Sequence, residues 1–386
     1  MMYYLTHDLI AHITVFQAIM LLIVLTNIYF SHRARRHSLP DKLPRVSILV
    51  PVRDEEVTIE ACLCSLMGQT YADFEVLVLD DQSSDSTPVI LQQIALEDDR
   101  LKVLKGSPAP PGIAGKNWAC AQLAGQATGE LLFFTDADTV HQTNMLAEIV
   151  SSMLGEKADM MTGFPRQVVK TWGERLLVPF FTWSSLNFIP LGLAYQLRTS
   201  VLSIAVGQMM VFKREAYQAV GGHTTLGTDI LDDIVLARRI NQSGLRWRVL
   251  SIADLIRCRM YRSNREACEG LTKNLFGAFG CRLLPFLFTI AWLIIMTWVP
   301  LVVFALWLAG YAPMVDPPVL ISCLVLALLT WVFPLAEIHI PLFLVFLYPI
   351  IILAITWVML RSMVFSLSGK LRWKNRVLEK PGWKWL

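Results

Sequence analysis

The sequence predicts an α/β domain with a mostly parallel sheet, set between apolar segments that belong in a membrane. Three observations predict it. From about Arg45 to Tyr261, short β-branched stretches alternate with helical patterns and turn residues, the order that builds a parallel sheet through helical crossovers. Apolar runs near the length of a bilayer core flank this region: Ile10 to Phe30 before it, then Leu283 to Leu308, Val319 to Phe333 and Leu342 to Leu360. Of the 386 residues 54% are hydrophobic and 17% charged, and the mean hydropathy is +0.49, too apolar for an ordinary soluble enzyme.

Each element is taken in chain order. The first run has no basic region before it and no small-residue cleavage site after it, so it reads as an anchor and not a signal peptide. "SHRARRH", with Arg33, Arg35 and Arg36, places the next domain in the cytoplasm of an inner-membrane protein and the N-terminus outside. "VSILVPV" is a strand, "EEVTIEACLCSLMGQ" a helix, and "FEVLVLDD" a strand entering the turn-rich "QSSDST". "TPVILQQIALEDD" is a helix, "LKVLKG" a strand, "KNWACAQLAGQATG" a helix and "ELLFFTDAD" a further strand. Leu176 to Tyr195 is long enough to count as a span, yet crossing would put later acidic residues on the wrong side. It is therefore expected in the membrane interface, with Phe180, Phe181, Trp183 and Phe188 at headgroup depth. The expected division is an anchor and basic linker at 1–44, an α/β domain at 45–275 that includes the interfacial segment 172–196, and a membrane region with basic tail at 276–386.

The C-terminal topology carries a conflict. Four crossings that start outside return the tail outside, but residues 369–386 hold six Lys and Arg against one Glu and call for the cytoplasm. A re-entrant or interfacial last segment reconciles the two; Val319 to Phe333 is short for a span, and Pro334, Pro341 and Pro349 interrupt the stretch beyond it. Glu337 and His339 are expected in a wet turn there.

Ligands of parallel α/β sheets bind beyond the carboxyl ends of the strands, and Asp54, Asp80, Asp81, Asp136 and Asp138 all fall at such ends. Strand alternation puts Asp136 and Asp138 on one face. Either that end is merely wet, or a strongly positive species sits between them. Paired carboxylates are hard oxygen ligands, and Mg²⁺ or Mn²⁺ is usually held by one or two of them together with substrate phosphates. Lys116, after Gly115, opens a helix whose N-terminal N–H groups also favour an anion. Seven cysteines without metal-ligand spacing fit a reducing compartment, and a net charge of +3 with basic residues beside membrane segments argues against nucleic acid.

"VSILVPVRDEEVTIEACLCSL", "VLVLDDQSSDST", "GKNWAC", "TDADT" and "LDDIVLARRINQSGLR" come one after another as in family 2 glycosyltransferases with the GT-A fold, and the resemblance covers about two-thirds of the chain. With "GFPRQ", "GQMMVFKREAY" and "CRMYRS", the sequence looks most similar to carotenoid glucosyltransferases and, more distantly, to ceramide and hopanoid-associated enzymes. The resemblance implies a GT-A domain (a Rossmann-like mixed sheet), a UDP-sugar donor, Mg²⁺ or Mn²⁺, and a membrane lipid acceptor. It implies that Pro51, Arg53 and Glu55 hold uracil and ribose, and that Asp80 and Asp81 reach the base and diphosphate. Asp138 would ligate the metal, Asp136 the ribose or a metal-bound water, and Asp233 would be the catalytic base. Lys116, Arg259 and Arg262 belong with the donor diphosphate; Gln208, Asp232 and Trp183 are acceptor-side candidates. Polysaccharide synthases carry Q-x-x-R-W, whereas this chain reads Arg259-Met-Tyr-Arg262-Ser263, with the two arginines expected on one helix face. That departure weakens a processive synthase as the alternative. A membrane-headgroup role for Arg257, Arg259, Arg262 and Arg265 competes with the diphosphate role, and a nucleotide-sugar-binding subunit without turnover is the alternative of another class.

Overall fold

The computed structural model describes residues 2–35, 37–38, 43–229, 231–311, 315–373, 376–377 and 382–386; Arg36 of the basic linker lies outside them. Two compact units emerge. One comprises the chain up to Thr26, Val169–Pro190 and Tyr261 onward; the other comprises Asn27–Val168 and Leu191–Met260. The N-terminal helix α1 (Met2–Arg33) contributes to both.

The α/β unit runs β1 (Val46–Val52), α2 (Ile59–Met67), β2 (Phe74–Asp80), α3 (Thr87–Ala95), β3 (Leu101–Lys105), α4 (Gly115–Gln126), β4 (Leu131–Phe134), β5 (Thr139–His141), α5 (Met145–Gly155), β6 (Met160–Phe164) and β7 (Arg166–Gln167). After α6 (Trp172–Phe188), which belongs to the other unit, it resumes with α7 (Leu191–Ala194), β8 (Met210–Lys213), α8 (Arg214–Ala219), α9 (Asp232–Gln242), β9 (Trp247–Ser251) and β10 (Ile256–Cys258). The seven-stranded sheet has the order β3-β2-β1-β4-β8-β6-β9. The first four strands are parallel, and β8 runs antiparallel to both neighbours. Ile48, Val50, Val76, Val78 and Phe133, all buried, form its core with Ile59, Leu63, Leu66, Ile149 and Met153 of the covering helices.

Register explains where the site lies. Val52 pairs with Asp80, so the loops after β1 and β2 leave the sheet side by side. Asp54 and Gln82 take left-handed φ values of 50° and 60° there. Asp54 N–H donates to Ser83 Oγ at 2.9 Å, and Ser84 N–H returns to Asp54 Oδ1 at 2.7 Å. The first helix starts at Ile59 and not near Glu55, because the Glu55 and Glu56 N–H groups donate to Thr87 Oγ1 and Asp85 Oδ2. A three-stranded sheet, β5-β10-β7, pairs Thr139 with Cys258.

The other unit contains α6, α10 (Asn264–Ala278), α11 (Leu283–Leu308), α12 (Pro317–Glu337) and α13 (Tyr348–Leu367). Among the described residues, four stretches are long and apolar enough to cross a membrane: Thr6–Arg33, Leu283–Leu308, Pro317–Glu337 and Leu342–Leu367. The third corrects the expectation of a short segment broken by Pro334, since that proline lies inside α12. Proline lacks the N–H that would reach Thr330 O, and Asn187 Nδ2 donates to that carbonyl instead, at 3.3 Å. Glu337 ends α12, and His339 is exposed in the adjoining turn. Helix α6 packs on α10, α12 and α13. Phe180 and Trp183, expected at a membrane surface, are 8% and 5% exposed. Trp183 stacks on Trp331 at 4.5 Å, because α12 brings its own aromatic ring to that face. A cavity of about 30 Å³ beside them is lined by Phe16, Gln17, Trp292, Thr330 and Tyr348.

Candidate active site

The acidic residues at the strand ends converge with Lys116. β4 stops at Phe134, so Asp136 and Asp138 sit in the turn before β5 and not on the strand. Their common face comes from that turn: Thr139 Oγ1 donates to Asp136 O at 2.7 Å, while Thr135, Ala137 and Thr139 point inward. Lys116 Nζ lies 3.0 Å from Asp136 Oδ1 and 3.7 Å from Asp232 Oδ2, with 43% of its side chain exposed. Burial opposes its charge, but Asp136 and Asp232 hold its pKa well above the usual lysine range. Asn117 Nδ2 ties this helix start to the carbonyls of Gly227 and Asp229, at 3.2 and 2.9 Å. The loop leading to Asp232 and Asp233 is thereby fixed against α4.

Asp233 is partly exposed at the start of α9. Its Oδ2 accepts from Gly207 N–H at 2.9 Å and its Oδ1 from Ile234 N–H at 2.8 Å. Desolvation and the neighbouring Asp232 charge push its pKa up to about 7, the range of a general base poised for neutral pH. Asp232 is buried, and although desolvation opposes it, Lys116 and His223 hold its carboxyl well below the usual range. Gln208 is also buried, with Oε1 taken by Gln167 Nε2 at 2.9 Å and its carbonyl by Thr135 Oγ1. Both acceptor-side candidates therefore sit beneath the surface.

Asp138 supplies the test of the metal expectation. Its Oδ1 is buried and has no hydrogen-bond partner. Desolvation, Asp136 and Glu55 raise its pKa to about 7. An orphaned carboxylate oxygen among other acids fits a hard divalent cation. Among the described residues no group of three or more His, Cys, Asp or Glu converges as a metal cluster, but Mg²⁺ sites of this kind take only one or two carboxylates, with phosphates and waters completing the shell.

The remaining site candidates have these local contacts. Arg53 Nη1 donates to Asp81 O at 2.8 Å, Ser83 N–H to Asp80 Oδ1 at 3.0 Å, and Thr58 Oγ1 to Glu55 Oε2 at 2.8 Å. Pro51 lies in β1, paired with Leu79. Arg259 directly follows β10, whose Cys258 is hydrogen-bonded to Asp138. Arg259 and Arg262 do not share a helix face, because both precede α10. Ser263 caps that helix, with Oγ accepting from Glu266 N–H, and Glu266 Oε2 accepts from Arg262 N–H. Trp183 and Arg262 belong to the helical unit. Sequence reasoning missed Gly207, His223 and Cys258. "GGHTT" signals the second, since paired glycines before a histidine mark a turn that places it.

Known proteins resemble parts of this chain. Residues 47–221 match glycosyl transferase family 2. A beta-monoglucosyldiacylglycerol synthase of Trichormus variabilis is 30% identical over 236 residues, 60% of this chain and 46% of that protein. The Escherichia coli UDP-Glc:alpha-D-GlcNAc-diphosphoundecaprenol beta-1,3-glucosyltransferase WfgD is 35% identical over 118 residues, 31% of this chain and 44% of that protein. The chain thus spans less than half the length of either relative. The mannosyltransferase PcManGT from Pyrobaculum calidifontis, solved with GDP-Man and Mn²⁺, has a TM-score of 0.50 at 18% identity, covering 93% of this chain and 99% of its own. With the mixed sheet, the likeness to the mannosyltransferase shows a GT-A-like α/β fold, and residues 47–221 within it are similar to glycosyl transferase family 2.

Proposed function

We propose that this protein is an inverting glycosyltransferase of the inner membrane, with its α/β unit in the cytoplasm, that moves one sugar from a UDP-sugar to a membrane lipid hydroxyl. The observation that carries the reading is the convergence of Lys116, Asp136 and Asp232 beside Asp233, with the unpartnered Asp138 oxygen on the same acidic rim. Displacing a diphosphate needs a proton acceptor for the incoming hydroxyl and positive charge for the departing anion.

Each residue then has a task. Asp233, held by two backbone N–H groups, takes the hydroxyl proton. Lys116, exposed at its tip, meets the anionic leaving group. Arg53 and the linked loops after β1 and β2 grip the nucleoside, and Arg259 extends the positive charge beside Asp138. Asp138 would hold Mg²⁺ or Mn²⁺, which when bound would neutralise the diphosphate. The names of the relatives, a glucosyldiacylglycerol synthase and an undecaprenol-linked glucosyltransferase, support UDP-glucose as donor and a glycerolipid or polyprenyl acceptor class; a carotenoid alcohol is a narrower member of the lipid class. The test is UDP release from UDP-glucose by the purified protein with and without extracted membrane lipid, with mass spectrometry of the product. A lipid-dependent hexose adduct is expected. UDP-glucose binding without turnover on any lipid extract would leave a binding subunit instead.

A further inference from the structure

Behind Asp232 lies an imidazole to which the proposed glycosyl transfer gives no task, and the inference rests on that reaction. His223 is 0% exposed. Its Nε2 faces Asp232 Oδ2 at 3.5 Å, a long approach between two buried atoms that have no hydrogen-bond partner. On its far side, Nδ1 lies 2.8 Å from the Tyr217 hydroxyl, and that hydroxyl accepts the His223 backbone N–H at 3.0 Å. A phenol that already accepts one hydrogen still has its own to donate. Nδ1 is the acceptor in reach, so the neutral ring carries its proton on Nε2, aimed at Asp232. Burial keeps the ring neutral by pulling its pKa below the ordinary histidine range.

The surroundings are built for this arrangement. Phe134, at the end of β4, packs on both rings, with centroids 5.3 Å from Tyr217 and 4.8 Å from His223. Gly222 takes φ +51°, and a Cβ there would stand 2.6 Å from the Tyr217 ring. Only glycine lets the backbone turn over the phenol.

We propose that Tyr217, His223 and Asp232 form a positioning chain that locks the Asp232 carboxylate, and with it Lys116, beside Asp233. The charges acting on Asp233 are Asp232 from its own helix and Lys116 from α4, while Gly207 and Ile234 offer neutral N–H groups. Without the His223 N–H, Asp232 stays ionised beside Lys116 but its charge is less offset, and it acts more strongly on Asp233. The base then ionises at higher pH.

Two measurements on the full chain in detergent test this. In ¹⁵N-imidazole NMR, a resonance that disappears in His223→Gln should report a neutral Nε2–H ring from pH 5 to 8, and Tyr217→Phe should abolish that tautomer preference. An Nδ1–H ring, or an imidazolium at pH 7, would overturn the chain. In UDP-glucose turnover, His223→Leu should lose about tenfold in kcat, as removal of a supporting polar partner typically does, and should move the acid limb of kcat/KM to higher pH. His223→Gln, which keeps a donor N–H, should restore the limb. A limb unmoved in His223→Leu, or Gln no better than Leu, would mean that His223 only fills space. Absence of turnover in the wild-type protein would remove the glycosyl-transfer reading while the NMR result still decides the tautomer.

Discussion

Asp233→Asn isolates the base from the binding site. The change keeps the volume and removes one acceptor oxygen. Asp233 accepts from Gly207 and Ile234 through separate oxygens, so an amide leaves one N–H facing an NH₂ group, costing about 1–3 kcal/mol. Against this stands the charge that asparagine no longer carries. The folded pKa of about 7 lies above the ordinary value of 3.8. A raised carboxylate pKa means that the folded state holds its proton more tightly, so stability falls as pH rises from about 4 to about 7 and the penalty is complete at pH 8. That penalty is at most about 4 kcal/mol, and less for a carboxyl that is partly exposed. The variant should therefore melt at pH 8 no lower than a few degrees below wild type, and should bind UDP-glucose with unchanged affinity by calorimetry. Turnover, read by UDP release with lipid, should fall roughly 10²–10⁴-fold. In the wild type, kcat/KM should drop about tenfold per pH unit below about 7. Turnover within a few-fold of wild type in Asp233→Asn would refute the proton-acceptor role.

Other perturbations separate the remaining parts. Asp138→Ala should abolish Mn²⁺ binding seen by electron paramagnetic resonance, together with lipid-dependent turnover; full activity in excess chelator would sink the metal assignment. Gly207→Ala places a methyl 3.5 Å from Lys116 Nζ and 3.6 Å from Asp233 Oδ2, contacts that the fold tolerates. Turnover should fall roughly 10–100-fold with an unchanged melting temperature, and an undiminished kcat would show that the reacting atoms do not use this gap. Trp183→Ala should cost about 3–5 kcal/mol of stability, measured by denaturation in detergent, because it strips the stack on Trp331. Asn187→Leu should cost about 1–3 kcal/mol through the Thr330 carbonyl, and equal stability would mean that this oxygen finds another donor.

The parallel half of the sheet was legible because β1, β2 and β3 are short stretches rich in Val, Leu and Ile bounded by turn residues. The D-x-D and Lys116 were legible for a related reason, since each directly follows or opens an element of clear period. Legibility ended where the structure is made by partners distant in sequence. Strands β5, β7 and β10 are two or three residues long and show no period, so the link between Cys258 and Asp138 had no local signal. The helix expected around Arg259 and Arg262 starts only at Asn264, since Ser263 and Glu266 write a capping box there. Gly207 acts through a backbone N–H, which no side-chain pattern announces. The packing of the α6 aromatics had no local signal either, since Trp183 stacks on Trp331, well over a hundred positions along the chain.

The closing residues of α1 bear on how a soluble fragment could be cut. Trimming at residue 44, where hydropathy and the basic cluster would end the anchor, would remove Asn27, Phe30 and Arg35 from the unit they help to fold. Leu191 N–H would lose Asn27 Oδ1 at 2.8 Å, and Tyr195 would lose its edge contact with the Phe30 ring. Asp254 and Glu148 would lose the Arg35 guanidinium that bridges β10's approach to α5. A truncation that starts after the linker yields a domain without these contacts, whereas one that starts at Asn27 retains them and discards the turns of α1 that belong to the other unit.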